Sequence, residues 1–368
     1  MQYIAFRVDA SIEMGSGHVM RCLTLADALK TQQRKCLFLT RPHPGNLSDI
    51  IAARGHGVIL LSKPEQFVQK NEDFVDHAPW LGANQSQDAQ ETISGLKGIH
   101  PDWLIVDHYA IDQRWHKLLR PHAQNIFVID DLADRAYDCD LLLDQTYGRK
   151  ETEYKQLVNK KTPLLLGSQY ALLRPEFAKL RPKAIAKRKE YNGIQRILIS
   201  MGGTDPHDVT TKVLQGLMAV EWQNQPIVDV VLSSKAPYLN KIIEQAKQCS
   251  LGMAVSVDVN DMAERMLEAD LAIGAGGSTS WERCCLGLPT IMIGVAENQT
   301  NIIQQLAQTG ASLYIGTFSS HIANLISDAL TKINNNNTVL IDMAKKAAGI
   351  VDGLGVRKVI FSMENVLP

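Results

Sequence analysis

Short apolar runs rich in Val, Ile and Leu alternate with longer amphipathic stretches along the first half of the chain. Strands that are buried on both faces of a sheet have such continuous apolar sequences, and the stretches between them are long enough for helical crossovers. This alternation restricts the first half of the chain to an α/β fold with a mostly parallel sheet. The predicted strands of this half cover residues 3–9, 36–40, 58–61, 103–107, 126–130 and 141–144.

A second series of the same kind follows a polar, basic segment at residues 175–192, which we interpret as a helix and an interdomain linker. The sequence therefore predicts two doubly wound, Rossmann-like α/β domains, residues 1–185 and 186–368, that face a cleft. The terminal stretch 356–367 has helical spacing, and it could pack back on the N-terminal domain. The predicted strands of the second series cover residues 196–200, 227–233, 253–257, 270–274, 289–294 and 312–316.

The overall charge argues against two classes of partner. The chain of 368 residues has 38 basic and 39 acidic side chains, which gives a formal net charge of −1. Binding to nucleic acid or to an anionic membrane usually requires a strongly basic surface, so we expect neither. The six cysteines have no CxxC spacing, and no secretion signal or long apolar span is evident. We therefore expect a reduced, cytoplasmic protein.

The first loop that could carry chemistry covers residues 9–30. Gly15 and Gly17 allow tight turns, and apolar residues at helical spacing follow them. His18 thus lies at or just before a helix N-terminus, where the free N–H groups disfavour the charged imidazolium. A neutral imidazole accepts a proton, so we predict that His18 is a general base. The alternative is that the glycines only form a turn and that His18 is a capping or exposed polar residue.

The second loop, residues 200–210, follows the first strand of the second domain. Gly202 and Gly203 leave room for a ligand, and Thr204 or Asp205 can cap the next helix. The loop is typical of a site for an anion. A purely structural turn between a strand and a helix explains the same residues equally well.

The third loop covers residues 274–299. Gly276 and Gly277 expose backbone amides, and the hydroxyls at positions 278–280 open a helix, which is the arrangement that holds phosphate in many proteins. Glu282 follows in the first turn, and we predict that its carboxylate accepts hydrogen bonds from ribose hydroxyls. The alternative is an acid that only interacts favourably with the helix dipole.

Other chemically versatile residues receive simpler interpretations. Aspartates end several strands, at positions 9, 107, 130, 131 and 144, and we favour helix caps and sugar-hydroxyl acceptors over metal ligands because no compact ligand spacing joins them. Cys284 and Cys285 are expected to be small core residues. Histidines without a motif are expected at the surface or in loops, namely His43, His56, His77, His100, His116, His122 and His207.

Five segments of the sequence together resemble one known family. They are GSGHVMR, VDHYAID, DDLADRAYDCDLLLDQ, YALLRPEF and the block from GAGGSTSWE to ENQ, and they cover nearly the whole chain in the expected order. The sequence resembles the PseG family of UDP-sugar hydrolases of bacterial pseudaminic acid biosynthesis. More distantly, it is similar to the MurG-like glycosyltransferases of the GT-B fold.

The resemblance implies roles for individual residues. His18 corresponds to the base that activates water, and Arg174 to a substrate-binding residue. Ser278 and Thr279 are expected near the diphosphate, and Asp107 and Tyr109 in the sugar pocket. The remaining substrate-binding positions expected from the resemblance are Gly15, Gly17, Arg21, Gly202, Glu282, Asn298 and Gln299.

The resemblance also implies the reaction, which is hydrolysis of a UDP-linked 2,4-diacetamido-2,4,6-trideoxy hexose with inversion at the anomeric carbon. The N-terminal domain would supply the base and the sugar pocket, and the C-terminal domain would bind UDP. No metal and no cofactor are expected, the partners are the UDP-sugar and UDP, and the protein is expected to be a monomer or a weak oligomer. A MurG-like glycosyltransferase and a non-catalytic UDP-sugar-binding protein are the alternatives, because the same loops serve all three.

Overall fold

The computed structural model describes residues 2–63, 75–296, 299–334 and 336–366. The chain forms two compact units. The first consists of Met1–Leu172 together with Leu354–Pro368, and the second consists of Leu173–Gly353. No helix within the described residues is long and apolar enough to cross a membrane.

The first unit contains a seven-stranded sheet whose paired strands all run parallel. Its strands are β1 (Tyr3–Val8), β2 (Lys35–Thr40), β3 (Gly57–Leu60), β4 (Trp103–Asp107), β5 (Asn125–Asp130), β6 (Leu141–Asp144) and β7 (Leu164–Leu166). The helices of the same unit include α1 (Gly17–Thr31), α2 (Ser48–Ala53), α3 (Gln85–Leu96), α4 (Gln113–Leu119) and α5 (Glu151–Tyr154).

The strand order of this sheet, β3-β2-β1-β4-β5-β6-β7, determines where a ligand can bind. Strands β2 and β3 are added on one side of β1, and β4 and the strands after it are added on the other side. The loops that leave the carboxyl ends of β1 and β4 are therefore neighbours, although about a hundred residues separate them along the chain. Open α/β sheets bind ligands at such a switch point.

The second unit repeats this plan with a six-stranded parallel sheet of order β10-β9-β8-β11-β12-β13. Its switch point lies between β8 and β11, so the second and third loops of the sequence analysis are neighbours. The strands are β8 (Arg196–Ser200), β9 (Ile227–Leu232), β10 (Met253–Val257), β11 (Leu271–Ala275), β12 (Thr290–Gly294) and β13 (Leu313–Thr317). The helices are α6 (Pro175–Lys187), α7 (Val209–Met218), α8 (Leu239–Gln248), α9 (Met262–Glu268), α10 (Thr279–Cys285), α11 (Thr300–Thr309), α12 (Ile322–Asn334) and α13 (Asn337–Ala348).

The fold class agrees with the sequence-based prediction, and each predicted strand has a counterpart in one of the two sheets. Strand β7 was missed, because three residues are too short to show a strand pattern.

The boundary between the compact units differs from the predicted division after residue 185. Helix α6 is part of the second unit, because Arg181 donates hydrogen bonds to the carbonyl oxygens of Cys285 (2.5 Å) and Ala348 (2.6 Å). The predicted helix within the segment 175–192 is thus packed on the second unit. Helix α14 (Gly355–Asn365) returns to the first unit, where its apolar side chains join the core around β1.

Candidate active site

His18 is the second residue of α1, at the switch point of the first unit. The tight turn before the helix is closed by a hydrogen bond from the Gly15 amide to the carbonyl oxygen of Ser11 (2.9 Å). Gly15 has a φ of +75°, a left-handed conformation that favours glycine. The His18 side chain is 11% exposed. The sequence-based placement of this histidine at the start of a helix is confirmed.

A buried carboxylate contacts the Nδ1 atom of the His18 imidazole. Its Nδ1 lies 2.6 Å from Oδ1 of Asp107, the last residue of β4, whose side chain is fully buried. Arg21 Nε donates to the other oxygen of the same carboxylate at 2.6 Å. Burial alone would raise the pKa of Asp107, but the Arg21 guanidinium and the His18 ring outweigh it and hold that pKa well below its usual range.

The ionised state of Asp107 determines which nitrogen of His18 carries the proton. A carboxylate only accepts hydrogen bonds, so the short contact requires a hydrogen on Nδ1. In the neutral ring, Nε2 then has the free lone pair and can accept a proton. This arrangement of a buried acid, an oriented imidazole and an available nitrogen is typical of a general base.

Two predicted substrate contacts pair with other side chains in this arrangement. Asp107 was expected to line the sugar pocket; its buried carboxylate contacts His18 Nδ1, and a direct contact with the sugar stays a prediction. Arg21 is also almost fully buried, and its Nη1 donates to Asp131 Oδ2 at 2.6 Å. The structure therefore gives Arg21 the role of linking two carboxylates, and a direct contact with substrate stays a prediction.

Tyr109 lies beside His18. Its ring meets the His18 ring edge to face, with 4.6 Å between the ring centres, and its hydroxyl donates to Asp131 at 2.9 Å. Burial, reinforced by the charge of Asp131, raises the pKa of Tyr109 well above its usual range, so the phenol keeps its proton. Tyr109 thus presents a neutral aromatic ring next to His18.

The second unit has the predicted glycine-rich turn between β11 and α10, which begins close to Ser278 and Thr279. The Gly276 amide donates to Gln299 Oε1 at 3.2 Å, so Gln299 is engaged with the loop itself. A Cβ atom at Gly276 would collide with the Ile303 side chain, whereas one at Gly277 would have no neighbour within 4 Å among the described residues. The first glycine is therefore required by packing, and the second leaves space open to a ligand.

Arg174 and Glu282, which are far apart in sequence, lie close together in the second unit. Arg174 Nη2 is 3.8 Å from Glu282 Oε1, and Arg174 Nη1 is 3.0 Å from Glu176. Burial raises the pKa of Glu282 to about 7, against the opposing charges of Arg174 and Arg283. The Glu282 side chain is 17% exposed and stays accessible to a polar ligand group.

An acidic side chain of the loop after β8 caps the helix that follows. Asp205 accepts hydrogen bonds from the amides of Val209 (3.0 Å) and Thr210 (2.8 Å) at the start of α7, so it is the capping residue that the sequence left open between two candidates. Gly202 has a φ of +93°, which explains the glycine by conformation. Anion binding by this loop stays a prediction.

The remaining sequence-based assignments concern Asn298, the two adjacent cysteines and several histidines. Asn298 lies outside the described residues. Cys284 and Cys285 are buried, as expected, and burial raises the pKa of their thiols to about 12 and about 11. His43 and His56 lie in loops, as expected, although their side chains are buried, whereas the expectation for His116 is wrong because it is buried within α4. Within the described residues, no group of three or more His, Cys, Asp or Glu side chains is arranged to hold a metal ion.

Sequence reasoning missed the neighbours of Tyr109. His77 directly precedes a short 3₁₀ helix (Ala78–Leu81) and Trp80 lies within it, and their rings contact each other and the Tyr109 ring. Asp131 was recognised only as one of several acids at strand ends, and its pairing with Arg21 and Tyr109 was not foreseen. The only signal in the sequence was the spacing of His77 and Trp80 around Pro79, which by itself has no functional meaning.

Comparison with known proteins first establishes the fold class. The two parallel-sheet α/β units have the GT-B fold, and residues 196–355 match the family model of the glycosyltransferase family 28 C-terminal domain. The structure of Acinetobacter baumannii MurG superimposes with a TM-score of 0.69 at 14% identity over 99% of both chains. The spinosyn rhamnosyltransferase SpnG, in complex with thymidine diphosphate, gives a TM-score of 0.64 at 14% identity over 99% of this chain and 100% of its own.

Relatives with curated descriptions then show which proteins of this fold class the sequence resembles. The UDP-2,4-diacetamido-2,4,6-trideoxy-β-L-altropyranose hydrolase of Campylobacter jejuni is 26% identical over 83% of this chain and 97% of its own length. The predicted resemblance to the PseG family is therefore confirmed. The spore coat polysaccharide biosynthesis protein SpsG of Bacillus subtilis is 24% identical over 99% of this chain and 98% of its own. An uncharacterized protein of Methanocaldococcus jannaschii is 27% identical over 79% of this chain, which spans about half (55%) of that relative's length.

Proposed function

We propose that this protein hydrolyses a UDP-linked 2,4-diacetamido-2,4,6-trideoxy hexose to UDP and the free sugar, with inversion at the anomeric carbon, as a step of pseudaminic acid biosynthesis. The observation that carries the proposal is the 2.6 Å contact between His18 Nδ1 and the buried carboxylate of Asp107. This contact leaves Nε2 available as a base. The similarity to the Campylobacter jejuni hydrolase supports the choice of substrate.

The proposed reaction needs a base more than an acid. A water oxygen attacks the anomeric carbon while the bond from that carbon to the UDP oxygen breaks, and the water proton passes to His18 Nε2. UDP leaves as a stabilised anion, so little proton donation is required at its oxygen. Attack on the face opposite the leaving group inverts the anomeric centre.

The second unit is proposed to bind UDP. Backbone amides around Gly277, where a side chain would have open space, are suited to the diphosphate. Glu282 is suited to accept hydrogen bonds from the ribose hydroxyls, and Arg174 beside it supplies a positive charge. Contacts from Ser278, Thr279, Gly202 and Asn298 are part of the same proposal.

A glycosyltransferase is the second candidate, because solved structures with this fold include glycosyltransferases. In that case His18 would remove a proton from an acceptor hydroxyl rather than from water. UDP release from the nucleotide sugar alone, at turnover rates, favours the hydrolase. Strict dependence on an added acceptor favours the transferase, and saturable binding of UDP without any turnover favours a binding protein.

The decisive experiment follows a panel of UDP-linked diacetamido sugars by proton NMR, which reports the preferred sugar and the anomeric configuration of the product together. His18→Ala should lower kcat by about 10²–10⁴-fold, because a general base contributes that much. Asp107→Asn should lower kcat by about 10²-fold, because a neutral amide no longer fixes the proton on Nδ1. Neither change should weaken UDP binding, measured by calorimetry.

The exposed His100 in the same unit provides the matched control, and His100→Ala should keep wild-type kcat. Thermal unfolding of each variant separates lost chemistry from lost folding, because Asp107→Asn also removes the charge that pairs with Arg21. Near-normal UDP release by folded His18→Ala, or retention of the anomeric configuration in the product, contradicts the proposed mechanism.

A further inference from the structure

The rings of His77, Trp80 and Tyr109 form a continuous aromatic surface in the first unit. The ring centres of His77 and Trp80 are 4.4 Å apart, and those of Trp80 and Tyr109 are 6.0 Å apart with nearly parallel planes. His77 also lies 5.4 Å from Tyr109. Because Tyr109 contacts the His18 ring, this aromatic surface begins directly at the proposed base.

The short 3₁₀ helix that follows His77 and contains Trp80 is anchored in the core. Ala78 and Leu81 are buried, and Leu81 belongs to the hydrophobic cluster around β4 and α4. His77 and Trp80, in contrast, are only partly buried. The chain therefore uses small and aliphatic residues to fix the helix and leaves two large rings partly open to a ligand.

The surface is apolar although charged groups surround it. Burial lowers the pKa of His77, so its ring is uncharged at neutral pH even though Asp134 favours the charged form. Tyr109 keeps its proton and directs its hydroxyl to Asp131. Three neutral rings thus lie next to a base in an otherwise polar setting, which is the pattern of a ligand site that combines polar groups for chemistry with aromatic walls for recognition.

We propose that His77 and Trp80 are specificity-determining residues that contact the methyl groups of the sugar. This inference rests on the proposed function. A 2,4-diacetamido-2,4,6-trideoxy hexose carries two acetamido methyls and a methyl at C6, where an ordinary hexose carries hydroxyls. Aromatic faces bind such C–H groups favourably, and they offer no partner for the hydroxyls of an ordinary sugar.

The test compares nucleotide sugars by calorimetry in a His18→Asn background, so that turnover does not affect the measurement. Trp80→Ala is expected to raise the Kd for UDP-2,4-diacetamido-2,4,6-trideoxy-β-L-altropyranose by about 10-fold or more. The Kd for UDP should stay within about 2-fold, and the Kd for UDP-N-acetylglucosamine should change less than that of the diacetamido compound. His77→Ala should show the same pattern with a smaller amplitude.

Trp80→Phe keeps an aromatic face and should restore most of the affinity, which a merely structural role of the indole would not predict. Phe361→Ala removes a 67% exposed ring from the same unit and should change none of the three Kd values. An unchanged Kd for the diacetamido compound in folded Trp80→Ala overturns the inference, as does an equal loss for UDP. Absence of hydrolysis by the wild-type protein, in contrast, overturns the proposed function and leaves the binding comparison valid.

Discussion

Two carboxylates of the candidate site have opposite ionisation behaviour because their neighbours differ. Asp107 is fully buried, yet it stays ionised because Arg21 donates to it at 2.6 Å and His18 at the same distance. Glu282 has its closest cation, Arg174, only at 3.8 Å, so burial dominates and raises its pKa to about 7. The same chemical group therefore serves as a permanent charge in one unit and as a titrating group in the other.

The raised pKa of Glu282 predicts a dependence of stability on pH. The folded protein holds this proton more tightly than the unfolded chain, whose glutamate has a pKa of about 4.3. Its contribution to stability is thus fully present below about pH 4 and is lost as the pH rises through about 7, with a total on the order of 3 kcal/mol. Glu282→Gln should remove this loss. The unfolding temperature of this variant, relative to that of wild type, should therefore rise between pH 5 and pH 8.

Glu244→Gln is the control for this prediction, because Glu244 is exposed and pairs with Lys247 on the surface of α8. Its unfolding temperature should follow the wild-type curve across the same pH range. Parallel curves for wild type and Glu282→Gln would show that Glu282 does not titrate in this window.

At the scale of elements, the glycine-rich turn before α10 combines a packing requirement with an opening for a ligand. The two adjacent glycines of this turn look equivalent in sequence, but they have different surroundings in the structure. Gly276 lies against Ile303 of α11, and a Cβ atom at Gly277 would meet none of the described residues within 4 Å. The turn thus serves both to join β11 to α10 and to leave its backbone accessible.

Alanine substitutions should separate these two functions. Gly276→Ala forces a Cβ atom into the Ile303 side chain and should lower the free energy of unfolding by about 1–3 kcal/mol. Gly277→Ala meets no atom of the described residues within 4 Å and should leave stability unchanged. If the proposed diphosphate site lies here, Gly277→Ala should nevertheless weaken UDP binding about 10-fold, measured by calorimetry. Unchanged UDP affinity in this variant would move the diphosphate site elsewhere.

At the scale of the whole molecule, the chain completes the first unit only at its far end. Helix α14 contributes Val359, Ile360 and Met363 to the core that also contains β1 and α1. The intervening residues Leu173–Gly353 form the second unit. The first sheet therefore depends on residues that follow the second unit in sequence.

Val359→Ala should destabilise the first unit selectively. Val359 is fully buried, so loss of its methyl groups should cost about 2 kcal/mol. Hydrogen exchange measured by mass spectrometry should become faster in peptides from β1–β7 and remain unchanged in peptides from β8–β13. Phe361→Ala on the exposed face of the same helix is the control and should alter neither set. Equal acceleration in both units would show that they unfold together.

Local sequence patterns were sufficient to predict a large part of this protein. Apolar runs predicted the strands of both sheets, the glycines before His18 predicted the start of α1, and the cap of α7 was one of the two candidates that follow Gly203. Each of these features depends on residues within a few positions along the chain, because strand burial, helix initiation and capping are local properties. The sequence by itself thus determined the fold class and the position of the candidate base.

Only the tertiary structure decided how that base is held and what surrounds it. Asp107 follows His18 by 89 positions, and the two meet because β4 lies next to β1 in the sheet. The same strand order places Tyr109 beside His18, and the anchoring of the short helix at Ala78–Leu81 brings Trp80 to Tyr109. Contacts between distant residues depend on which strands become neighbours, and hydrophobic periodicity carries no information about that choice.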